Sequence, residues 1–231
     1  MRKLLLACLL AVAPALGVAS ETAALPVFKV DLSNRAGLQR GARTFVNYCV
    51  SCHSAEFMRY SRVAQDLGLT PEQVQANMVF NGGDVNQVMR VALGKKDGAK
   101  WFGQAPPDLT LAARSRGPDW LYGYLRSFYL DPSRPFGVNN TVFPNAAMPH
   151  VLVALQGTQA LHDGHLKPVS EGTLKPAEYD AMIRDLVNFM VYMGEPAKLV
   201  RYGLGIKVLL FLLVFAGLAY MVKREYWRDV H

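Results

Sequence analysis

Two cysteines and a histidine form the most chemically specific pattern in the sequence, Cys49-Val50-Ser51-Cys52-His53. Two thiols three residues apart can each add to one vinyl group of a porphyrin, and the following imidazole can then reach the iron from one face. The chain holds only 3 Cys and 5 His in 231 residues, so chance gives this pattern about once in a thousand such chains. The motif predicts a covalently bound haem c, attached at Cys49 and Cys52 and ligated axially by His53.

A Cys-x-x-Cys pair has two other uses, which stay open as minor alternatives. A tetrahedral zinc site needs two further ligands, and His162 and His165 are the candidates for that second half, although they stand in a polar, glycine-containing segment. A disulfide or a thioredoxin-type redox pair is the other alternative. No βαβ pattern surrounds the motif, so the sequence gives this use little support.

A second axial ligand has to come from elsewhere in the chain, and Met148 is the best candidate. Most of the 9 methionines have a helical or membrane context in which methionine usually fills apolar space. Met148 instead stands in a loop without apolar periodicity, and Pro149 restricts the backbone directly after it. His150 is the alternative ligand. Methionine ligation would raise the reduction potential, which suits a carrier near the oxidising end of an electron-transfer chain.

Two arginines, Arg114 and Arg116, follow a loop rich in proline and glycine. A guanidinium group can hold a haem propionate with two parallel hydrogen bonds. Each arginine is equally well explained as a solvated side chain on a short helix, so spacing alone does not decide between this explanation and a propionate contact.

The segments around the motif predict a mainly α-helical domain with long loops. Asn34 is a suitable N-cap for a helix that runs to about Tyr48, and Gly41 lies one turn before Phe45, a spacing that lets another helix cross closely. Further helices are predicted at the following places: from Thr70-Pro71, over Asn86–Leu93, over Leu109–Arg114, around Trp120–Phe128 and from Pro176 to Gly194. Residues 95–107 are expected to form a loop, and a small hairpin is expected between Pro132 and Lys175.

Both ends of the chain are apolar. Residues 1–20 have a charged start, an apolar centre and small residues near the end, which is typical of a secretory signal peptide. Residues 204–222 form a 19-residue apolar run, interrupted by Lys207, that is long enough to span a membrane. The predicted organisation is a signal peptide (1–20), a periplasmic haem domain (21–201), a transmembrane helix (202–223) and a cytoplasmic tail (224–231).

The formal net charge of +7 overstates the basic character of the domain. Residues 21–203 hold 19 basic and 16 acidic side chains, without a lysine or arginine run and without interleaved aromatic residues. This near balance argues against nucleic acid as a partner.

The chain resembles the cytochrome c1 family, the haem-bearing subunits of the ubiquinol–cytochrome c reductase (cytochrome bc1) complex. The resemblance covers nearly all of the mature chain. It rests on the following stretches: Gly41-x-x-x-Phe45 before the cysteine motif, Met58-Arg59-Tyr60, Trp101-Phe102-Gly103-x-Ala105-Pro106-Pro107-Asp108-Leu109, Arg114-x-Arg116, Met148-Pro149 and the C-terminal apolar run.

The resemblance implies thioether bonds at Cys49 and Cys52, axial His53 and Met148, and a propionate contact at Arg116, less securely at Arg114. It also implies a non-catalytic electron carrier in the bacterial inner membrane. Its partners would be a cytochrome b subunit, a Rieske iron–sulfur protein and an acceptor cytochrome c, in a dimeric complex. Some members carry a strongly acidic extension that docks a basic carrier. This chain has none, which leaves its acceptor open. The alternative is a membrane-anchored haem c subunit of a terminal oxidase or reductase.

Overall fold

The computed structural model describes residues 25–230, so the predicted signal peptide and Cys8 lie outside the described residues. In chain order the helices are α1 (Arg35–Tyr48), α2 (Tyr60–Leu67), α3 (Pro71–Met78), α4 (Lys95–Phe102), α5 (Ala112–Ser115), α6 (Pro118–Arg126), α7 (Val153–Gln156), α8 (Pro176–Gly194) and α9 (Lys198–Tyr226). The strands are β1 (Ala55–Arg59), β2 (Val88–Met89), β3 (Phe128–Leu130), β4 (Val138–Asn140), β5 (Gln159–His162) and β6 (His165–Pro168). Each strand pairs antiparallel with one other, as β1–β2, β3–β4 and β5–β6.

Helices α1 and α8 cross closely and form the centre of the fold that precedes α9. The crossing point is Gly41, where an added methyl group would overlap the Asp185 carbonyl and the Phe189 Cβ. One turn later the ring of Phe45 packs on that of Phe189, with centroids 5.6 Å apart. The pair Gly41 and Phe45 therefore does what its spacing predicts, since the missing side chain brings the two helix backbones together.

The predicted helix starts at α1 and α3 are confirmed. The Asn34 side chain accepts a hydrogen bond from the Gly37 amide at the start of α1. At the start of α3, Thr70 and Gln73 exchange side-chain-to-backbone hydrogen bonds as a capping box, and Pro71 occupies the first turn. Both caps satisfy amides that the first helical turn leaves unpaired, so the local sequence is sufficient to place these ends.

Two predictions between residues 86 and 107 are wrong. Instead of the expected helix over Asn86–Leu93, the chain forms the short strand β2, which pairs antiparallel with β1. The expected loop over 95–107 contains helix α4, which ends at Gly103 with a φ of 81°. Gly98 fits α4 against Pro106, since a methyl group there would press on the proline ring. Neither outcome follows from apolar periodicity within its own segment, because β2 is fixed by pairing with the distant β1 and α4 packs against the residues that follow it.

The predicted hairpin between Pro132 and Lys175 is present as β5 and β6, which pair in register from Gln159 with Pro168 to His162 with His165. A second short pair, β3 and β4, encloses the turn around Pro132. The predicted end of α8 at Gly194 is also confirmed.

Helix α9 is the candidate membrane span within residues 25–230. Its 29 residues extend about 44 Å at 1.5 Å per residue, more than the roughly 30 Å of a bilayer's hydrocarbon core. None of its residues is buried against the rest of the chain. It begins at Lys198, four residues before the start of the predicted span at 202. The fold is thus mainly α-helical, with a C-terminal apolar helix long enough to span a membrane.

Candidate haem site

The cysteine motif forms a single helical turn at the end of α1. The amides of Cys52 and His53 both donate to the Cys49 carbonyl, at 3.1 and 2.9 Å. Cys49 is buried and Cys52 is half-buried, and no disulfide joins them. Burial, together with the nearby Cys52, raises the pKa of the Cys49 thiol to about 12. A redox-active or metal-binding cysteine needs the opposite shift, so the raised pKa argues against those two uses of Cys49.

The His53 ring is oriented by a backbone carbonyl 54 residues away. Its Nδ1 lies 2.7 Å from the Pro107 oxygen. A carbonyl can only accept, so Nδ1 carries the proton and Nε2 is left with a free lone pair. Burial also lowers the pKa of His53, which keeps the imidazole neutral. This is the tautomer and charge state that a metal-ligating histidine requires.

Two hydrogen bonds hold the segment that supplies this carbonyl against the residues directly after the motif, and a third fixes the turn of the segment itself. The Leu109 amide donates to the Ser54 carbonyl at 2.8 Å. Asp108 accepts from the amides of Glu56 at 2.7 Å and Thr110 at 2.8 Å. Pro107 therefore cannot drift away from His53, and the Pro-Pro-Asp-Leu stretch has a direct structural role at the site.

A cavity of about 570 Å³ opens beside the motif and is lined by Cys49, Cys52 and His53. Its volume lies within the range of small-molecule and cofactor sites. The other side chains that line it are largely apolar and include Phe102, Leu109, Leu121, Tyr124, Leu125, Phe143, Met148, Leu186 and Met190. A haem c needs two attachment thiols, a neutral imidazole, a second donor such as a thioether, and apolar surroundings. This cavity offers all of them. The residues present fit this group.

Met148 lines this cavity, and its sulfur has a polar partner. The Tyr124 hydroxyl donates to Met148 Sδ at 3.5 Å. Burial raises the pKa of Tyr124 to about 12, so the hydroxyl keeps its proton and acts as a donor at physiological pH. The Tyr124 ring is fixed by stacking on Trp120, with centroids 4.8 Å apart and planes within 8°. Sequence reasoning missed Tyr124, because its place on the apolar face of a helix resembles ordinary core packing.

The loop that carries Met148 is shaped by two buried asparagines that sequence reasoning also missed. Asn140 Oδ1 accepts from the amides of Val142 and Phe143, and its Nδ2 donates to the Tyr124 carbonyl at 2.8 Å. The Asn145 amide donates to Asn139 Oδ1 at 2.8 Å. Asparagines that bond the backbone in this way fix a loop that has no helix or strand of its own.

His150, the alternative ligand, does not line the cavity. It is buried and stacks on Phe128, with ring centroids 5.0 Å apart and planes within 5°. Burial lowers the pKa of His150 to about 4. It is therefore placed as a neutral packing residue behind the Met148 loop, and the geometry favours Met148.

The two candidate arginines occupy different places. Arg116 lines the cavity, and its guanidinium carbon lies 5.2 Å from the ring centroid of Trp120 and 5.7 Å from that of Phe143. Arg114 is not part of the cavity wall and forms an ion pair with Glu195 at 3.5 Å. The geometry favours Arg116 for the propionate contact.

The zinc alternative lacks a second pair of ligands. His162 and His165 face each other as paired residues at the exposed end of the β5–β6 hairpin, and neither lines the cavity. Across residues 25–230 no group of three or more His, Cys, Asp or Glu side chains is arranged to hold a metal ion. A wider groove of about 1520 Å³ borders this hairpin, but it contains none of the motif residues.

Comparison with known proteins identifies the family. Residues 29–230 match the model of the Cytochrome C1 family. The chain belongs to the cytochrome c1 family. It is 48% identical over 244 residues to cytochrome c1 of Allochromatium vinosum, with all of both chains covered. It is also 29% identical over 227 residues to cytochrome c1 of Rhodospirillum rubrum, covering 84% of this chain and 81% of the relative.

Two other matches carry different names. A protein named ammonia monooxygenase gamma subunit, from Nitrosomonas europaea, is 48% identical over 204 residues and 87% of each chain is covered. A solved chain of a hyperthermophilic respiratory Complex III shares 18% identity with a TM-score of 0.43, over 88% of this chain and 80% of that one. The likeness to the Complex III chain is too weak to support an argument about function.

Membership of the cytochrome c1 family confirms four predictions made from the sequence: the family itself, the mainly α-helical fold with a C-terminal apolar helix, one covalent haem c, and electron transfer in the cytochrome bc1 complex. The chain is a membrane-anchored haem protein of that complex. The roles of individual site residues, the specific partners and the orientation in the membrane remain predictions.

Proposed function

We propose that this chain relays single electrons from a Rieske iron–sulfur protein to an acceptor cytochrome c, as the haem c subunit of a ubiquinol–cytochrome c reductase. The observation that carries the proposal is one cavity lined by both motif cysteines, His53, Met148 and Arg116 in a cytochrome c1 family member. When bound there, the haem supplies a centre that accepts and releases one electron.

Each of these residues has a separate role. Cys49 and Cys52 hold the porphyrin through thioether bonds, which prevents its loss to the solvent. His53 and Met148 would ligate the iron, and the Pro107 carbonyl keeps the imidazole in the tautomer that can do so. Arg116 stands at the cavity wall, where its charge can hold a propionate. If His53 and Met148 both ligate the iron, the haem would transfer electrons rather than bind or activate a gas.

The protein walls support this relay by limiting rearrangement. The cavity is lined mainly by packed apolar side chains, and the Met148 loop is fixed by Asn139 and Asn140. A site whose geometry changes little between the oxidised and the reduced state needs little structural reorganisation at each electron transfer. The chain itself makes and breaks no bond in the substrate, so within the complex it acts as an electron carrier rather than as the catalytic subunit.

The partners that we propose are a cytochrome b subunit, a Rieske iron–sulfur donor and an acceptor cytochrome c, in a dimeric complex. The domain organisation is a signal peptide over 1–20, a haem domain on the periplasmic side over 21–201, a span over 202–223 and a cytoplasmic tail over 224–231. Lys223, Arg224 and Arg228 at the end of α9 support this orientation, because basic residues concentrate on the cytoplasmic side of a bacterial inner membrane.

Affinity purification from native membranes tests the proposal. An affinity tag after His231 should recover a cytochrome b subunit and an iron–sulfur protein, and the isolated complex should reduce a cytochrome c when given ubiquinol. Recovery with a terminal oxidase or another reductase, without quinol–cytochrome c reductase activity, would support the alternative of a different haem c subunit and contradict the proposal.

A further inference from the structure

Helix α4 presents an exposed, basic face that the haem site does not use. It carries Lys95, Lys96 and Lys100 against one acidic residue, Asp97, and all four side chains are exposed. None of the three ammonium groups forms an ion pair in the part of the chain that the structure describes. The helix therefore projects uncompensated positive charge from the surface.

This helix lies at the rim of the haem cavity. Its Gly98 packs against Pro106, and both Pro106 and the last residue of α4, Phe102, line the cavity. Phe102 also packs on Phe136, with ring centroids 5.8 Å apart, so the end of α4 is fixed in place. A partner seated on α4 would thus lie next to the cavity mouth.

The acidic groups near the same rim are already engaged. Asp108 lines the cavity, but its carboxylate accepts hydrogen bonds from the amides of Glu56 and Thr110. The Glu56 carboxylate is paired with Arg90 at 3.4 Å. With three lysines against Asp97, the net charge that α4 itself presents at this rim is positive.

Trp101 adds an apolar anchor to this face. Its side chain is 63% exposed although it stands between Lys100 and the half-buried Phe102. Tryptophan is among the residues most enriched at the energetic centres of protein–protein interfaces. An exposed tryptophan beside unpaired lysines matches the composition of protein–protein interfaces, in which a polar rim surrounds an apolar centre.

We propose that the α4 face, formed by Lys95, Lys96, Lys100 and Trp101, docks an electron acceptor whose contact surface is acidic. The inference rests on the proposed function, and it specifies the acceptor that the sequence left open. Complementary charge steers the encounter and raises the association rate, whereas a like-charged carrier is repelled. Because these charges are exposed, the steering weakens once the Debye length falls below about 10 Å, near 0.1 M salt.

The test uses the intact complex, reduced by ubiquinol, and two probes that share one fold. One probe is a basic mitochondrial cytochrome c, and the other is the same protein with its lysines succinylated, which makes it acidic. At low ionic strength the complex should reduce the succinylated probe faster. Added salt should slow that reaction and speed the reaction with the unmodified probe, until the two rates converge.

A charge-reversed variant assigns the effect to α4. Lys96→Glu combined with Lys100→Glu should slow reduction of the succinylated probe on the order of tenfold at low salt and speed reduction of the basic probe. Lys167→Glu is the matched control, because Lys167 is exposed on β6 and lies outside the cavity rim. The control should keep the preference of the unaltered complex.

Three results would overturn the proposal: faster reduction of the basic probe by the unaltered complex, equal behaviour of the α4 variant and the Lys167→Glu control, or loss of another subunit from the α4 variant, which would show that this face is covered within the complex. The proposed function has its own readout. At high ionic strength the complex should reduce both probes, and failure to reduce either one would count against electron relay itself.

Discussion

The Tyr124 hydroxyl donates a hydrogen bond to the Met148 sulfur across 3.5 Å. A thioether sulfur has two lone pairs, so one can bind iron while the other accepts this bond. Donation to the sulfur withdraws electron density from it and weakens its stabilisation of the oxidised iron. Hydrogen bonds to a ligand are one of the levers by which a protein sets the potential of a haem.

Replacing Tyr124 with Phe should therefore lower the reduction potential. The change removes only the hydroxyl and keeps the ring that stacks on Trp120. A three- to tenfold change in the oxidation equilibrium corresponds to about 30–60 mV for a one-electron couple. A redox titration of the purified complex, followed at the haem c absorption band, measures this shift.

Tyr122→Phe is the matched control for that titration. It makes the same chemical change on the same helix, but the Tyr122 hydroxyl bonds with Asp180 and Arg184 rather than with Met148. This variant should keep the original potential. Equal potentials for Tyr124→Phe and the unaltered protein would show that the hydroxyl does not act on the ligand.

Replacing Met148 with Ala should lower the potential on the order of 100 mV or more, because the identity of the axial ligand is the strongest control on a haem potential. The charge-transfer band of methionine-ligated ferric haem should disappear as well. His150→Ala should keep both the band and the potential while lowering thermal stability, since His150 packs on Phe128. The opposite pattern would identify His150 as the ligand.

The two arginines should separate in the same titration. Arg116→Gln removes a positive charge from the cavity wall, which disfavours the reduced haem and should lower the potential by roughly tens of millivolts. Arg114→Gln breaks the pair with Glu195 outside the cavity and should leave the potential unchanged. An equal shift in both variants would argue for a general charge effect instead of a local contact.

Gly41→Ala should destabilise the haem domain, because the added methyl group would overlap the α8 backbone at Asp185. Overpacking of this kind costs about 1–3 kcal/mol. In a protein of this size 2 kcal/mol lowers the melting temperature by about 4–8 °C. Gly203→Ala, on α9 with no atom within 4 Å, is the control and should melt as the unaltered protein does. Thermal melts followed by loss of helical circular dichroism compare the two.

The parts of the fold set by neighbouring residues were predictable from the sequence. The Asn34 and Thr70 caps and the end of α8 at Gly194 each depend on a few adjacent side chains. The spacing of Gly41 and Phe45 indicates a close helix crossing, but it does not identify α8 as the partner helix. Helix α4 was missed because Gly98 and its lysines leave no apolar periodicity to recognise, and its contact with Pro106 is visible only in the folded chain.

The haem site likewise has features that the local sequence predicts and features that it does not. The cysteine motif could be recognised because covalent attachment needs fixed spacing along the chain. The Pro107 carbonyl on His53 and the Tyr124 hydroxyl on Met148 could not, because they join residues 54 and 24 positions apart. Such contacts are set by the folded backbone, and no local pattern marks a carbonyl oxygen or a core tyrosine as a partner.

Mass spectrometry of the purified protein tests the central claim most directly. Trypsin should release residues 44–59, between Arg43 and Arg59, as one peptide that contains the whole motif. We predict that this peptide carries the added mass of one haem and that neither Cys49 nor Cys52 reacts with an alkylating agent. A colourless protein whose peptide has its unmodified mass and two alkylated cysteines would contradict the haem site and the electron-transfer function built on it.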